Sequence, residues 1–289
     1  MAKLKTDLKH RIAESQKAYP ILWADEPTVK AKRFQDLSCV LFGVKGIGKT
    51  PFLASIPGMY FIATEPGTNW QNVRASEVTT CATFKKFILD MEASPEKVAT
   101  VQMWGIDTLD KLENMFMNNI CYEWGLTSMS EEGFAGAWIE LENQMDYWLK
   151  RLFAIGPGLI MTSHERDRDF EDGKITRSRV SLDLVRRSYK AVTDFADLGM
   201  HMRCVRQSGD VKDGRQPKRC IATYPSVYED CWNRTGKVPA FIEFNTEAEA
   251  VKKIMASFDG DGDGDGDGEA RPKFKRPVKK AGKPKWKRK

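Results

Sequence analysis

Paired cysteines are missing from this chain. Its six cysteines, Cys39, Cys81, Cys121, Cys204, Cys220 and Cys231, include no C-x-x-C, and only three histidines accompany them. That spacing supports neither a disulfide framework nor a zinc site, so the cysteines read as reduced thiols, several of them in the core. A long apolar run is missing as well. No stretch approaches the roughly 20 apolar residues of a membrane span, and the basic first residues are not followed by an apolar signal core. The expectation is a cytoplasmic protein with no membrane partner. Net charge is scarce over most of the chain: of the total of +6, residues 259–289 supply eleven Lys/Arg against six Asp/Glu, which leaves +1 for everything before them. An argument from overall charge to nucleic acid therefore rests on the tail.

What is present suits one α/β domain with extensions, since 289 residues with 41% hydrophobic and 30% charged side chains can bury one good core or two small ones. Residues 3–18 carry Leu4, Leu8 and Ile12 at helical spacing and stop before Pro20, predicting a short N-terminal helix within an extension over 1–36. From Leu37 short apolar strands alternate with helices: strands over 37–42, 59–63, 99–106 and 158–162, and helices from Lys49, over 82–91, 109–123 and 134–153. Buried strands separated by helices predict parallel crossovers with both sheet faces covered. Residues 165–179 (ERDRDFEDGKITRSR) are polar and predict an exposed loop, followed by a helix over 182–195, strands over 198–205 and 219–223, and a closing helix over 247–258. Beyond it DGDGDGDG and the basic run are too poor in apolar residues to order, so 37–258 reads as the domain and 259–289 as a disordered acidic-then-basic tail.

Gly43-Val44-Lys45-Gly46-Ile47-Gly48-Lys49-Thr50 satisfies G-x-x-x-x-G-K-[ST] between an apolar strand and a helix start. Glycines let backbone N–H groups wrap phosphates, Lys49 reaches the β- and γ-phosphates, and Thr50 offers its hydroxyl to Mg²⁺, so ATP and Mg²⁺ are the expected cofactors. Pro51 is tolerated because the first helical turn has free N–H groups anyway. A carboxylate at a neighbouring strand end completes such a site. Asp107, closing VQMWGID, is the metal candidate; Asp110 one turn later competes, and a helix-capping aspartate is the bland alternative. Glu65 follows the strand MYFIAT at the carboxyl edge where ligands collect, and is the candidate for activating water, against a surface glutamate entering the turn E-P-G-T. AAA+ enzymes commonly put that acid beside the metal aspartate, whereas Ile106-Asp107-Thr108 offers no second acid. His164, after the strand GLIMTS, is a candidate γ-phosphate sensor, against a structural histidine.

The set GVKGIGKT, FIATEPGT, GIDTLD and LIMTSHE, with KRCIATYPSVYEDCWNRTGKVPAFIEF later in the chain, resembles the RecA-like ATPases of bacteriophages that act in single-strand annealing or recombination. The resemblance covers roughly residues 37–244. It implies a RecA-like P-loop NTPase core with a mostly parallel sheet, host-cell cytoplasm, single-stranded DNA as partner, a homo-oligomer and a single-strand-binding protein nearby. It puts Glu65, Lys49 and His164 in catalytic roles and Thr50 and Asp107 on the metal. It implies further that the segment after His164 faces DNA, where Arg166, Arg168, Arg177 and Arg179 meet phosphates while Asp167, Asp169, Glu171 and Asp172 counter that charge. Sites completed across a subunit boundary are common in such ATPases, with Arg215, Lys218, Arg219 and Arg234 the candidates here. The tail offers Lys273, Lys275, Arg276 and Trp286 for backbone neutralisation and base stacking, against a merely solubilising role. Three classes stay open: a DNA-dependent ATPase, a small-molecule or nucleotide kinase with 165–179 as its lid, and a nucleotide-gated loader with little turnover.

Overall fold

A computed structural model describes residues 31–69, 71–131, 135–172, 175–205 and 218–259. The expected N-terminal helix over 3–18, Arg215, and the tail with Lys273, Lys275, Arg276 and Trp286 lie outside these residues. Chain order runs β1 (Ser38–Phe42), α1 (Lys49–Ala54), β2 (Met59–Ala63), β3 (Arg74–Glu77), α2 (Cys81–Glu92), α3 (Pro95–Val98), β4 (Met103–Asp107), α4 (Leu109–Trp124) and α5 (Ala135–Ala154). It continues with β5 (Leu159–Ser163), β6 (Glu165–Asp172), β7 (Ile175–Leu182), α6 (Arg186–Phe195), β8 (Leu198–Val205), β9 (Lys218–Ala222), β10 (Trp232–Asn233), β11 (Phe241–Phe244) and α7 (Glu247–Ala256).

Among the described residues one nine-stranded sheet runs β11-β9-β8-β1-β5-β4-β2-β3, with β10 on β8. Pairing is parallel from β8 through to β3, and antiparallel for β9, β10 and β11. The fold is thus the expected α/β P-loop NTPase core with a mostly parallel sheet. Its central strands are buried on both faces, which is why they read as unbroken apolar runs. In β1, Val40 and Phe42 join the core formed with α2, α4, α5 and α6, while Cys39 and Leu41 join the one formed with α1 and α7. Strand β5 sits between β1 and β4, so the P-loop and Asp107 rise from strands that flank β5 on either side, and Thr162 of β5 lies between them.

Three expectations need correction. The polar segment 165–179 is not a loop: β6 and β7 form an antiparallel hairpin registered from Glu165↔Leu182 to Asp172↔Ile175. Both of its faces are largely polar, so the apolar alternation that flags a half-buried strand is absent. Because Leu182 ends β7, the following helix opens at Arg186 and not at 182. The strand expected over 99–106 is likewise shorter, Met103–Asp107, after the single-turn helix α3.

A buried carboxyl braces the helical layer. Glu113 of α4 is only 4% exposed and accepts the Val185 N–H that opens α6 at 2.9 Å. Burial is the main influence on it and raises its pKa from 4.5 to about 7. A carboxyl raised in the folded state contributes stability that is present below its unfolded pKa and lost as pH rises through about 7. Glu113→Gln is therefore expected to unfold at higher urea than wild type at pH 8 by about 1 to 3 kcal/mol, with the advantage vanishing at pH 5. Parallel urea curves for both proteins at the two pH values check this.

Candidate nucleotide site

The loop between β1 and α1 is shaped by close approach. A Cβ on Gly43 would lie 2.4 Å from the Met202 carbonyl oxygen of β8, and Gly48, which caps α1, has φ of 115°, a region side-chain-bearing residues avoid. Lys49 follows at the first helical position, is buried, and donates from Nζ to the carbonyls of Gly43 at 2.8 Å and Val44 at 3.0 Å. Burial lowers its pKa, opposed by the carboxylates of Asp107, Asp110, Glu165 and Glu65. One ammonium inside a loop of N–H groups, facing several carboxylates, is an environment made for a polyanion that carries its own divalent cation.

The two aspartates that the sequence left in competition do different things. Thr50 Oγ1 donates to Asp107 Oδ2 at 2.7 Å, and Thr162 Oγ1 of β5 donates to Asp107 Oδ1. Asp110 instead receives His164, whose Nδ1 lies 3.0 Å from Asp110 Oδ2 and whose backbone N–H donates to Oδ1 at 3.2 Å. His164 is thus oriented by the residue one helical turn beyond Asp107, so that one aspartate meets Thr50 and Thr162 and the other the residue that follows β5.

Glu65 leaves β2 half-buried. A Cβ built on Gly67 would stand 3.5 Å from Asp107 Oδ2, 3.7 Å from Thr50 Oγ1 and 4.0 Å from Glu65 Oε1, so these three oxygens surround one small space at the carboxyl edge of the sheet. Hard oxygen donors of this kind suit Mg²⁺, which takes one or two protein oxygens and keeps the rest of its shell for phosphate and water. Among the described residues no group of three or more His, Cys, Asp or Glu is placed to hold a metal ion.

Sequence reasoning missed the support behind the loop. Arg219 of β9 reaches Ile47 O at 3.5 Å and Asn245 O at 2.9 Å and pairs with Glu247 at the start of α7. A Cβ on Gly48 would fall 2.7 Å from Glu247 Oε1 and 2.9 Å from Arg219 Nη1, so the pair lies against the loop itself. As a residue acting across a subunit boundary Arg219 is therefore a poor choice: its guanidinium is engaged on its own P-loop. Arg234 donates to the carbonyls of Thr193 and Asp194, and Lys218 lies 3.6 Å from Glu243. The R-C-I-A and F-N-T-E segments carried the Arg219–Glu247 pairing as residues 28 apart, a separation no local pattern reveals.

The hairpin sorts its charges. Its register puts Arg166, Arg168, Arg177 and Arg179 on one face and Asp167, Asp169 and Glu171 on the other, so the acidic residues do not interleave with the arginines as they do along the chain. Arg168 departs from the phosphate role expected of it. Its guanidinium lies 4.3 Å from the centre of the Tyr189 ring and donates to Leu184 O at 2.7 Å, commitments that hold the hairpin root to α6. Arg166 lies 3.6 Å from Asp183 with half its side chain exposed. Between β6 and α6 opens a cleft of about 730 Å³, lined by Arg168, Arg186, Arg187, Lys190 and Tyr189 together with the carboxylates of Asp169 and Glu171.

A protein-family model described as AAA domain matches residues 35–234. The chain belongs to this family. No curated protein matches it. Membership makes the chain a P-loop NTPase domain, with nucleotide as its ligand and Mg²⁺ as the usual companion. In this AAA domain the residue after Asp107 is Thr108, whose N–H and carbonyl are both taken by Thr64 Oγ1, at 2.6 and 2.7 Å. The acid that shares the small space beside Gly67 with the Thr50 and Asp107 oxygens, Glu65, comes from the end of β2. No described helix is long and apolar enough to cross a membrane.

Proposed function

We propose that this AAA domain hydrolyses ATP with Mg²⁺ and couples turnover to single-stranded DNA, in the manner of the phage annealing and recombination ATPases that its motifs resemble. One observation carries the hydrolytic half: the oxygens of Thr50, Asp107 and Glu65 around the same point beside the P-loop. Lys49 exchanges its two carbonyl partners for β- and γ-phosphate oxygens, and Thr50 and Asp107 hold Mg²⁺, whose charge offsets that of the phosphates. Glu65 accepts a hydrogen bond from the attacking water and orients it. His164, fixed by Asp110, reports the γ-phosphate to the hairpin that begins at the next residue. The homo-oligomer and the association with a single-strand-binding protein belong to this reading.

DNA coupling is supported by Arg166, Arg177 and Arg179 on one face of the hairpin and by the excess of cations, Arg186, Arg187 and Lys190, over Asp169 and Glu171 in the cleft beside α6. Steady-state ATP hydrolysis with and without oligonucleotide tests it: single-stranded DNA raises the rate, whereas phosphate transfer to a small acceptor identifies a kinase, and an unresponsive low rate identifies a loader. The tail is expected to add non-specific affinity, since it carries +5 of the net +6. Deleting residues 259–289 then weakens DNA binding and flattens its log–log salt dependence by about 0.7 for each DNA phosphate that is no longer neutralised, while nucleotide binding survives. Unchanged affinity and slope move the DNA-binding surface to the hairpin and α6.

A further inference from the structure

A buried titratable cluster lies next to the P-loop and takes no part in the chemistry above. His201 of β8 is 4% exposed and stacks on Phe42, the last residue of β1, with ring centroids 4.9 Å apart and planes 6° from parallel. Its Nε2 lies 2.9 Å from Glu165 Oε2 and its Nδ1 lies 3.0 Å from Glu229 Oε1. Ionised carboxylates only accept hydrogen bonds, so a ring that meets one on each side must donate from both nitrogens, which only the imidazolium does. Burial, the strongest influence, favours the neutral ring, but the bonds to Glu165 and Glu229 outweigh it and raise the His201 pKa above its ordinary value. Two cations face the carboxylates from the other side, Arg203 with Nε 2.6 Å from Glu229 Oε1 and Lys49 acting on Glu165, and keep them ionised and hence acceptors only, while the Cys231 thiol meets the His201 backbone and not its ring.

One carboxylate opens the hairpin and the other lies on the segment bridged to the root of its second strand. Glu165 is the first residue of β6, directly after His164. Glu229 is bridged to Val180 of β7, with Val180 N donating to Tyr228 O at 2.8 Å and Asp230 N donating to Val180 O at 3.0 Å. The ring that grips both roots sits in register with Phe42, one residue before Gly43. An anionic phosphate drawn to Lys49 competes with Glu165 for that charge and repels the carboxylate, whose remaining fixed cation is His201.

We propose that His201 is a positioning residue: held as an imidazolium between Glu165 and Glu229, it ties both roots of the β6–β7 hairpin to the P-loop strand, so that occupancy of the phosphate site changes the hairpin. The proposal rests on nucleotide binding at the P-loop and not on DNA as the partner. Amide hydrogen exchange across residues 165–182 of the full chain, with and without Mg²⁺ and a non-hydrolysable ATP analogue, tests it. In wild type the analogue changes exchange in the hairpin by about threefold or more. His201→Gln keeps analogue affinity within about twofold, since it touches no phosphate ligand, but loses the hairpin response. Glu165→Gln, nearer the surface, removes one carboxylate with little change of shape and is expected to lose the response as well. The wild-type response also fades as pH rises through the His201 pKa, a dependence that His201→Gln lacks. A hairpin that still responds in folded His201→Gln or Glu165→Gln, or that responds equally at all pH values, overturns the coupling alone. Failure of the wild type to bind the analogue overturns the nucleotide reading and the coupling together.

Discussion

Lys49→Ala is expected to reduce ATP turnover to background, a loss of about 10³-fold or more, with ATP affinity falling alongside it. The ammonium is the one cation inside the loop, and four nearby carboxylates favour its charged form. Nothing else in the loop replaces it: Lys45 is exposed, on the outer turn. The fold is expected to survive. Removing a buried ammonium relieves its desolvation, and the two carbonyls it leaves, of Gly43 and Val44, lie beside the exposed turn at Val44 to Gly46, where water can reach. Thermal unfolding of the variant within a few degrees of wild type, together with abolished binding of a fluorescent ATP analogue, separates a phosphate role from a structural one. Wild-type turnover in Lys49→Ala sinks the P-loop assignment.

Much of this site was legible because its parts are local. The P-loop is eight consecutive residues, and Asp107 and Glu65 each follow an apolar run whose strand character needs no partner to recognise. Where spacing alone had to decide, it could not: Asp107 and Asp110 lie one turn apart, and only the hydrogen bonds to Thr50 on one side and His164 on the other distinguish them. Strand β3 was invisible because RASE carries no bulky apolar residue and sits at the sheet edge. The hairpin was invisible for a related reason. Its alternation is of charge sign and not of polarity, and that alternation separates cations from anions only once the chain is extended. Arg168 illustrates the same limit at one residue, since its partner Tyr189 comes from another element. His201 drew no attention in LGMHMRCV, where a histidine inside an apolar strand reads as filler; its meaning comes from Glu165 and Glu229, 36 and 28 residues away.

Glu65→Gln is expected to bind ATP as well as wild type and to hydrolyse it about 10²-fold or more slowly. The substitution is isosteric, so the turn at Pro66–Thr68 and the space bounded by Asp107, Thr50 and Glu65 keep their shape. Only the capacity to accept a proton or strongly polarise water is removed. Glu65 is also the weakest of the four carboxylates acting on Lys49, and its charge repels incoming phosphate, so neutralising it leaves KM unchanged or lowers it. That signature differs from the one expected of Asp107→Asn, where weakened metal binding raises the Mg²⁺ concentration needed for half-maximal rate and added Mg²⁺ restores part of the activity. Titrating Mg²⁺ against both variants therefore distinguishes a water-orienting acid from a metal ligand. A low rate that Mg²⁺ does not restore, with nucleotide affinity intact, identifies Glu65 as the acid; rates equal to wild type return it to the turn it enters, and rescue by Mg²⁺ moves it into the metal shell with Asp107.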